Sequence, residues 1–486
     1  MIRRFNLKYL HAFRNPNSDT ALPLFSQNQS LRKMRIVIDA DLYSQKSEEG
    51  SESELLNGLL LHEYIELYQV SDDGPPDGTP SRSVWDQNFF PGWIVIGEQD
   101  RANHIQPIRW SNGDNAVSGA IQGNMHEIVE NDVDTDAYRS LGPAESYRRR
   151  LADASVIQAA IEINADLFIT NREYALSSSW TSFEEVTVCT PSDALPLISL
   201  YLRSRNVFLA YKSKDIQLSF NKGSFFLTGA RELLPESWRW HSACVLTTKS
   251  HSSSELAQIA GSVLNRMVRV LQNRDKLLMA LNQPQNDDIA EEAMIDFDSA
   301  MVFLMGAMDA SALIANKAFG VNSDPRYASW QNDKWIAKIG SGDLSMFLAP
   351  NSEANNILTI LRHLRNTVHG AGLQPVSMVN GVRDQHETHM SLSASLSINK
   401  YAQFITAVDS LGGKENWSID DSDLQLILAD PGIVLEQIIP RVFNLLNSLM
   451  KLTPVEELGT AQARKHSKQD EAEALNVRRQ LGLQVI

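Results

Sequence analysis

Apolar positions fall into two regimes along the chain. Up to about residue 200, short apolar runs alternate with amphipathic stretches, whereas from residue 253 onward apolar residues recur every three or four positions over long spans. Met34-Arg35-Ile36-Val37-Ile38-Asp39-Ala40-Asp41 has the form of a central parallel strand that ends in carboxylates. A helix is expected over about 53–70, a loop over 71–83 and a strand over 93–97. The spacing of Ala152, Val156, Ala159, Ala160 and Ile163 predicts a helix over 147–164 that runs into a buried strand at 165–170. A further strand at 186–189 leads to Thr190-Pro191-Ser192-Asp193, a helix cap with proline in the first turn.

Strands alternating with helices imply a parallel sheet covered on both faces. Ile216 to Phe220, a turn at Asn221-Lys222-Gly223 and a return over Ser224 to Thr228 predict a β-hairpin. Five helices are expected beyond it, over about 253–283, 288–319, 353–369, 394–411 and 423–451, and they suit a helical bundle. The expected class is therefore α/β followed by all-α. Its divisions are an extension over 1–33, an α/β domain over 34–204, a hairpin connector over 205–252, a bundle over 253–452 and a charged tail over 453–486.

Composition narrows the partners. At 486 residues the chain is long enough for two or three domains. No window reads as the roughly 20 apolar residues of a membrane helix, and the first thirty residues lack a secretory core, so a cytoplasmic protein is expected. Cys189 and Cys244 are too few for a disulfide framework and sit in apolar stretches where burial is expected. The net charge of −15 is uneven: residues 1–200 hold 16 Lys and Arg against 29 Asp and Glu. An acidic first part argues against broad non-specific nucleic-acid binding. It is compatible with a cleft that gathers carboxylates around a divalent metal.

Two constellations carry candidate chemistry. In Leu361-Arg362-His363-Leu364-Arg365-Asn366-Thr367-Val368-His369-Gly370, Arg362, Arg365 and His369 share one helical face, Asn366 lies one turn below His369, and His363 points elsewhere. Arginine forks onto phosphate and histidine moves protons near neutral pH, which together suit attack of a 2′-hydroxyl on an RNA phosphodiester. In the α/β region, Asp39 ends the first strand and Asp153 opens a helix, and Glu63 or Glu66 is placed to complete a set of three carboxylates for Mg²⁺ or Mn²⁺.

Arg-Asn-x-x-His-Gly late in a helical domain resembles the signature of the HEPN superfamily. Three residues separate Arg365 from His369 and six separate Arg362 from it, so either arginine matches the family's. The stretches Ile36-Val37-Ile38-Asp39, Ala152 to Ala160 and Asn164 to Asn171 resemble a PIN domain, over roughly residues 34–200. That resemblance implies a metal-dependent nuclease in which Asp39 and Asp153 are the first and third acidic residues and Glu63 or Glu66 the second. The sequence departs from the pattern at Arg172, which stands with Glu173 where an Asp is common.

The HEPN resemblance implies a metal-free ribonuclease site, composite across a homodimer or higher homo-oligomer. Both families recur in toxins and anti-phage defence, which implies an RNA substrate and admits a regulatory protein partner. The alternatives are a PIN-like nuclease whose helical half serves dimerisation and sensing, and a non-catalytic interaction protein.

Several weaker signals stay structural. Asp132-Val133-Asp134-Thr135-Asp136 has Ala137 and Pro143 where a calcium loop needs Gly and Glu, and is expected to be a solvated turn. His386-Glu387-Thr388-His389 has the wrong spacing for a zinc helix. Asp309 is expected to be a paired, buried Asp, and Met301, Met305 and Met308 to be core.

Overall fold

The computed structural model describes residues 24–25, 32–43, 51–71, 92–97, 105–111, 116–122, 129–132, 135–177, 186–212, 217–251, 255–322, 324–368, 372–380, 385–393, 396–423, 426–458 and 471–483. Its first part is a seven-stranded mixed sheet in the order β5-β4-β3-β2-β1-β6-β7. The strands are β1 (Met34–Asp39), β2 (Ile65–Ser71), β3 (Gly92–Ile96), β4 (Ile105–Ser111), β5 (Ala116–Gln122), β6 (Leu167–Ile169) and β7 (Thr187–Cys189). β3, β2, β1, β6 and β7 run parallel, while β4 and β5 add an antiparallel edge.

Helices cover both faces of the sheet, as the alternation along β1 requires. Met34, Ile36 and Ile38 pack with α1 (Glu52–Leu60) and α3 (Pro191–Ser204), whereas Val37 faces the cluster built on α2 (Pro143–Glu162). The predicted cap before α3 forms: the Thr190 side chain accepts from the Asp193 N–H and Pro191 opens the helix.

The helix expected over 53–70 is in fact α1 followed by β2. α1 stops at Leu60, and the β-favouring residues Ile65, Tyr68 and Val70 continue as a strand buried on both faces. Within α2 the apolar stripe is shifted, so that Ala152 is exposed and Asp153 is buried.

The expected hairpin return does not form. β8 (Leu209–Lys212) pairs with β9 (Gln217–Ser219), and Asn221 caps α4 (Lys222–Leu233) by accepting from the Ser224 N–H. Phe225, Phe226, Gly229, Ala230 and Leu233 bury one face of that helix at helical spacing. The helix α5 (Glu236–His251) follows directly.

The remaining part is mainly helical. α6 (Glu255–Leu281) and α7 (Asp287–Ala318) pack along each other, with the short α8 (Asp333–Ile339) and α9 (Gly342–Phe347), then α10 (Glu353–Thr367), α11 (Ile398–Ser410) and α12 (Pro431–Leu452). Met301, Met305 and Met308 are buried in this core, and both cysteines are buried.

An all-helical second part was too simple. β10 (Gln374–Asn380) and β11 (Gln385–Ser391) form a hairpin that continues through β13 (Leu428–Ala429) to β12 (Ile419–Asp420). His386 to His389 thus lie in a strand rather than a loop, where Thr388 is buried and Glu387 and His389 are half-buried. By length and composition α7 is apolar enough to cross a membrane, contrary to the sequence expectation, but that window is mostly buried within the protein.

Neither end is a simple appendage. Leu24 and Phe25 are core residues, and Arg32 bonds Asp166 with both terminal nitrogens, at 2.7 and 2.6 Å. The expected tail contains α13 (Glu471–Leu481), which packs on α3, β8 and α4. A Cβ at Gly229 would stand 2.5 Å from Leu481 Cδ1 and 3.3 Å from Val477 Cγ1, so the missing side chain sets how closely α13 approaches α4. Gly229→Ala is expected to lower stability by about 1–3 kcal/mol through overpacking. A urea unfolding midpoint equal to that of the parent chain would refute this.

Candidate functional site

Parallel strands deliver their last residues to one edge, and Asp39 ends β1 there. Asp153 reaches the same edge from α2, and the segment after β6 supplies Thr170, Arg172 and Glu173. Asp39, Asp153, Arg172 and Glu173, with Ala40, Asp41, Val70, Tyr138, Arg148, Arg149, Ala152 and Asn171, line a cleft of about 780 Å³, and Thr170 is buried behind it. Asp39 is 5% exposed and Asp153 2%, so each carboxylate must find its partners within the protein.

Both find the same one. Arg172 Nε donates to Asp39 Oδ1 at 2.9 Å and Oδ2 at 3.1 Å, and its Nη1 reaches Asp153 Oδ1 at 3.4 Å. The Thr170 hydroxyl donates to Asp39 Oδ2 and accepts from the Arg172 N–H at 3.0 Å, which fixes the backbone from which the guanidinium extends. Asp153 Oδ2 accepts from the Tyr138 hydroxyl at 2.9 Å and the Tyr174 N–H at 3.2 Å.

Burial pushes the Asp39 carboxyl above its ordinary range, against the opposing pull of Arg172 and Thr170. Burial likewise pushes Asp153 up to about 6, with Arg172 and Tyr138 opposing. Desolvation works against the charge on Arg172, but Asp39 and Asp153 outweigh it and raise its pKa. Burial and the Asp153 carboxylate raise the Tyr138 phenol.

The expected second acidic ligand is elsewhere. In the parallel register Asp39 pairs with Val70 while Glu66 pairs with Arg35. Four residues of strand, roughly 13 Å, separate those positions. Glu66 is engaged by Arg35 and by the Tyr68 hydroxyl at 2.7 Å, and Glu63 is exposed in the turn before β2. Placing both on a helix made them appear to converge on Asp39; the strand carries them to the opposite edge of the sheet. Glu173 accepts from the Tyr138 N–H at 2.8 Å. Among the described residues no group of three or more His, Cys, Asp or Glu is arranged to hold a metal.

No family model, curated protein or solved structure matches this chain. What it does chemically therefore rests on the geometry of its own residues.

The arrangement around Asp39 and Asp153 does not fit Mg²⁺ or Mn²⁺ as it stands. All four carboxylate oxygens already accept hydrogen bonds, and the shared neighbour is a fixed cation. Of the cleft's residues, Tyr138 escaped notice in the sequence because it lies in a segment that reads as a solvated turn. Its backbone there is left-handed, with φ 58°, and gives no apolar signal. Arg148 and Arg149, which no motif in the sequence marked, are both tied to Glu145.

The second constellation sits on α10. Ile357, Leu358, Ile360, Leu361 and Leu364 are buried, while Arg362 and Arg365 are half-buried and Asn366 is exposed. Arg365 Nη1 approaches Asn366 Oδ1 at 3.4 Å. The helix ends at Thr367 with Val368 as its C-cap, and His369 and Gly370 lie outside the described residues.

His363 faces the interior, and burial followed by the Arg362 charge lowers its pKa, so it belongs to the packed side. Asp309 is exposed along α7 rather than buried. Desolvation by its surroundings raises its carboxyl, against the charges of Arg365 and Arg266. Gly306 lets Arg266 lie across α7, since a Cβ there would stand 3.0 Å from Arg266 Nε. Arg266 and Arg365, from two other helices, thus lie within electrostatic range of the exposed Asp309 on α7.

Proposed function

We propose that the protein is a ribonuclease that cuts RNA without a metal ion through a HEPN-like site on the helical part, and that the PIN-like cleft of the first part is not its catalytic centre. What supports this reading is that Arg365, four residues before His369, lies within electrostatic range of Asp309, as does Arg266. Arginines beside an accessible helix end supply positive charge where a crowded phosphate develops its extra negative charge.

In this reaction the 2′-oxygen of the substrate ribose attacks the adjacent phosphorus. Its proton passes to a base, the P–O5′ bond breaks, and a proton is delivered to the departing 5′-oxygen. His369 acts at one of these two proton transfers, and Arg365 or Arg362 steadies the phosphoryl oxygens between them. The products are a 2′,3′-cyclic phosphate and a 5′-hydroxyl. A second copy of the chain supplies the other proton-transfer group, so the working form is a homodimer. A toxin or anti-phage role, in which growth stops because RNA is cut, is the biological setting this reading favours.

The test is incubation of total RNA with the wild type, His369→Ala and Asp39→Asn, each with and without a chelator. Wild-type cleavage is expected to survive the chelator and leave cyclic phosphate ends, with DNA uncut. His369→Ala is expected to lose roughly 100-fold to 10,000-fold in rate, as for removal of a general acid or base. Asp39→Asn is expected to cut normally. Cleavage that stops with chelator and with Asp39→Asn, leaving 5′-phosphates, would move the reaction to the PIN-like cleft. RNA left intact by the wild type under activating conditions in cells would leave a non-catalytic interaction protein.

A further inference from the structure

We infer that Arg172 is a tethered cation that occupies, from within the chain, the position between Asp39 and Asp153 where a divalent ion would bind, and that removing it opens a divalent-cation site in the cleft. Two buried carboxylates facing one cleft repel each other and stay charged only beside positive charge. A metal ion or a guanidinium meets that need equally. Here the guanidinium lies against both groups, through Nε to the two oxygens of Asp39 and through Nη1 to Asp153.

Its position is built into the fold rather than left to a free surface side chain. The Arg172 N–H donates to Thr170 Oγ1, the same hydroxyl that donates to Asp39 Oδ2, so one threonine fixes both ends of the Arg172–Asp39 pair. The Arg172 side chain is 27% exposed and lines the cleft. Hard divalent cations bind carboxylate oxygens at roughly 2.0–2.6 Å and need lone pairs free of other donors. Every oxygen of this pair is already engaged. Arg172 follows the strand-ending Thr170 by two residues, so a single side chain in the β6 exit decides whether the cleft is compensated internally or by a captured ion. Once the guanidinium is gone, Asp39 Oδ1 and Asp153 Oδ1 lose the donor that now engages them, and Asp41 lies in the same lining.

The experiment uses the full chain and Mn²⁺ alone, followed by loss of the free-ion electron paramagnetic resonance signal, together with thermal melting with and without Mn²⁺. Wild type is expected to show no Mn²⁺ binding that Asp39→Asn removes, and no change in melting temperature on adding Mn²⁺ or chelator. Arg172→Ala and the size-conserving Arg172→Gln are expected to melt earlier without metal, to recover on adding Mn²⁺, and to bind it about tenfold or more tighter than wild type, the scale on which groups around a metal alter affinity. The doubles with Asp39→Asn should lose the gain. The inference is overturned if wild type binds Mn²⁺ in an Asp39-dependent way, or if the folded Arg172 variants bind no more than wild type. If neither Arg172 variant folds with or without Mn²⁺, the inference is also overturned, because the captured ion is expected to take the place of the guanidinium. RNA cleavage is not part of the readout, so the outcome is independent of the proposed ribonuclease site.

Discussion

Asp275→Ala should destabilise the folded chain by about 3–5 kcal/mol, the cost of leaving a buried charge without its partner. Asp275, 3% exposed on α6, accepts from Arg203 Nε at 2.5 Å and Nη2 at 3.1 Å. Arg203 comes from the end of α3, in the α/β part, and is itself buried. Its Nη1 also donates to Ser199 Oγ at 2.6 Å and to the Gln480 carbonyl at 3.2 Å.

On the other side of Asp275 lies Arg274, with Nη1 at 3.6 Å, and Arg274 is bound by Glu436 of α12. Four alternating charges therefore join α3, α6 and α12, and removal of Asp275 leaves two buried guanidinium groups with one carboxylate. Replacing charge by a cavity offers no compensation, because neither arginine has a route to water without repacking. Urea unfolding followed by circular dichroism measures the loss. A change below about 1 kcal/mol would place this row in the class of ion pairs with little net effect. Asp275→Asn, which keeps the shape, should fall between the parent chain and the alanine variant.

Ending the chain after residue 470 should have an effect of similar or larger size. It removes Val477, Leu481 and Leu483, all buried, and at about 1.5–3 kcal/mol per aliphatic side chain the apolar loss alone is about 5–9 kcal/mol. It also leaves the Leu209 and Ala210 carbonyls without Gln480 Nε2 and Asn476 Nδ2, which donate to them at 2.8 and 3.2 Å. Ser199 loses the Gln480 amide oxygen. That total is comparable to the whole stability of an ordinary domain. The shortened chain is expected to be recovered mainly as aggregate, and limited proteolysis should cut first near α3 and β8. A shortened chain that melts cooperatively within a few degrees of the full one would show that α13 only decorates the surface.

The layered sheet was legible because β1, β6 and β7 carry short apolar runs, Ile36-Val37-Ile38, Leu167-Phe168-Ile169 and Val188-Cys189, that bury side chains on both faces. β2 was not, because Ile65 to Val70 satisfies helical and strand spacing equally and follows a true helix without a proline or glycine stop. The same ambiguity hid α4: Asn221-Lys222-Gly223 has turn chemistry, and in the fold Asn221 spends it on capping a helix.

Asp39 and Asp153 were paired from sequence on the expectation that Asp153 opens a helix at the strand-end edge; it lies instead midway along α2 and is joined to Asp39 through Arg172. Arg172 was visible as an odd residue at the correct distance from Thr170, but only the folded geometry reveals that one guanidinium spans both acids. The partners Asp309 and Arg266 of Arg365 come from helices far apart in sequence, and no local pattern links them.

The docking of α13 has a consequence for how the chain is made. Ser199, Leu209 and Ala210 receive their partners from residues more than 260 positions later. Contacts of such long sequence separation form late and slow folding. During synthesis the α/β part emerges before α13, and the flank that α13 covers stays open while the more than 260 residues between them are made. A chain that stops before α13 carries that apolar flank exposed.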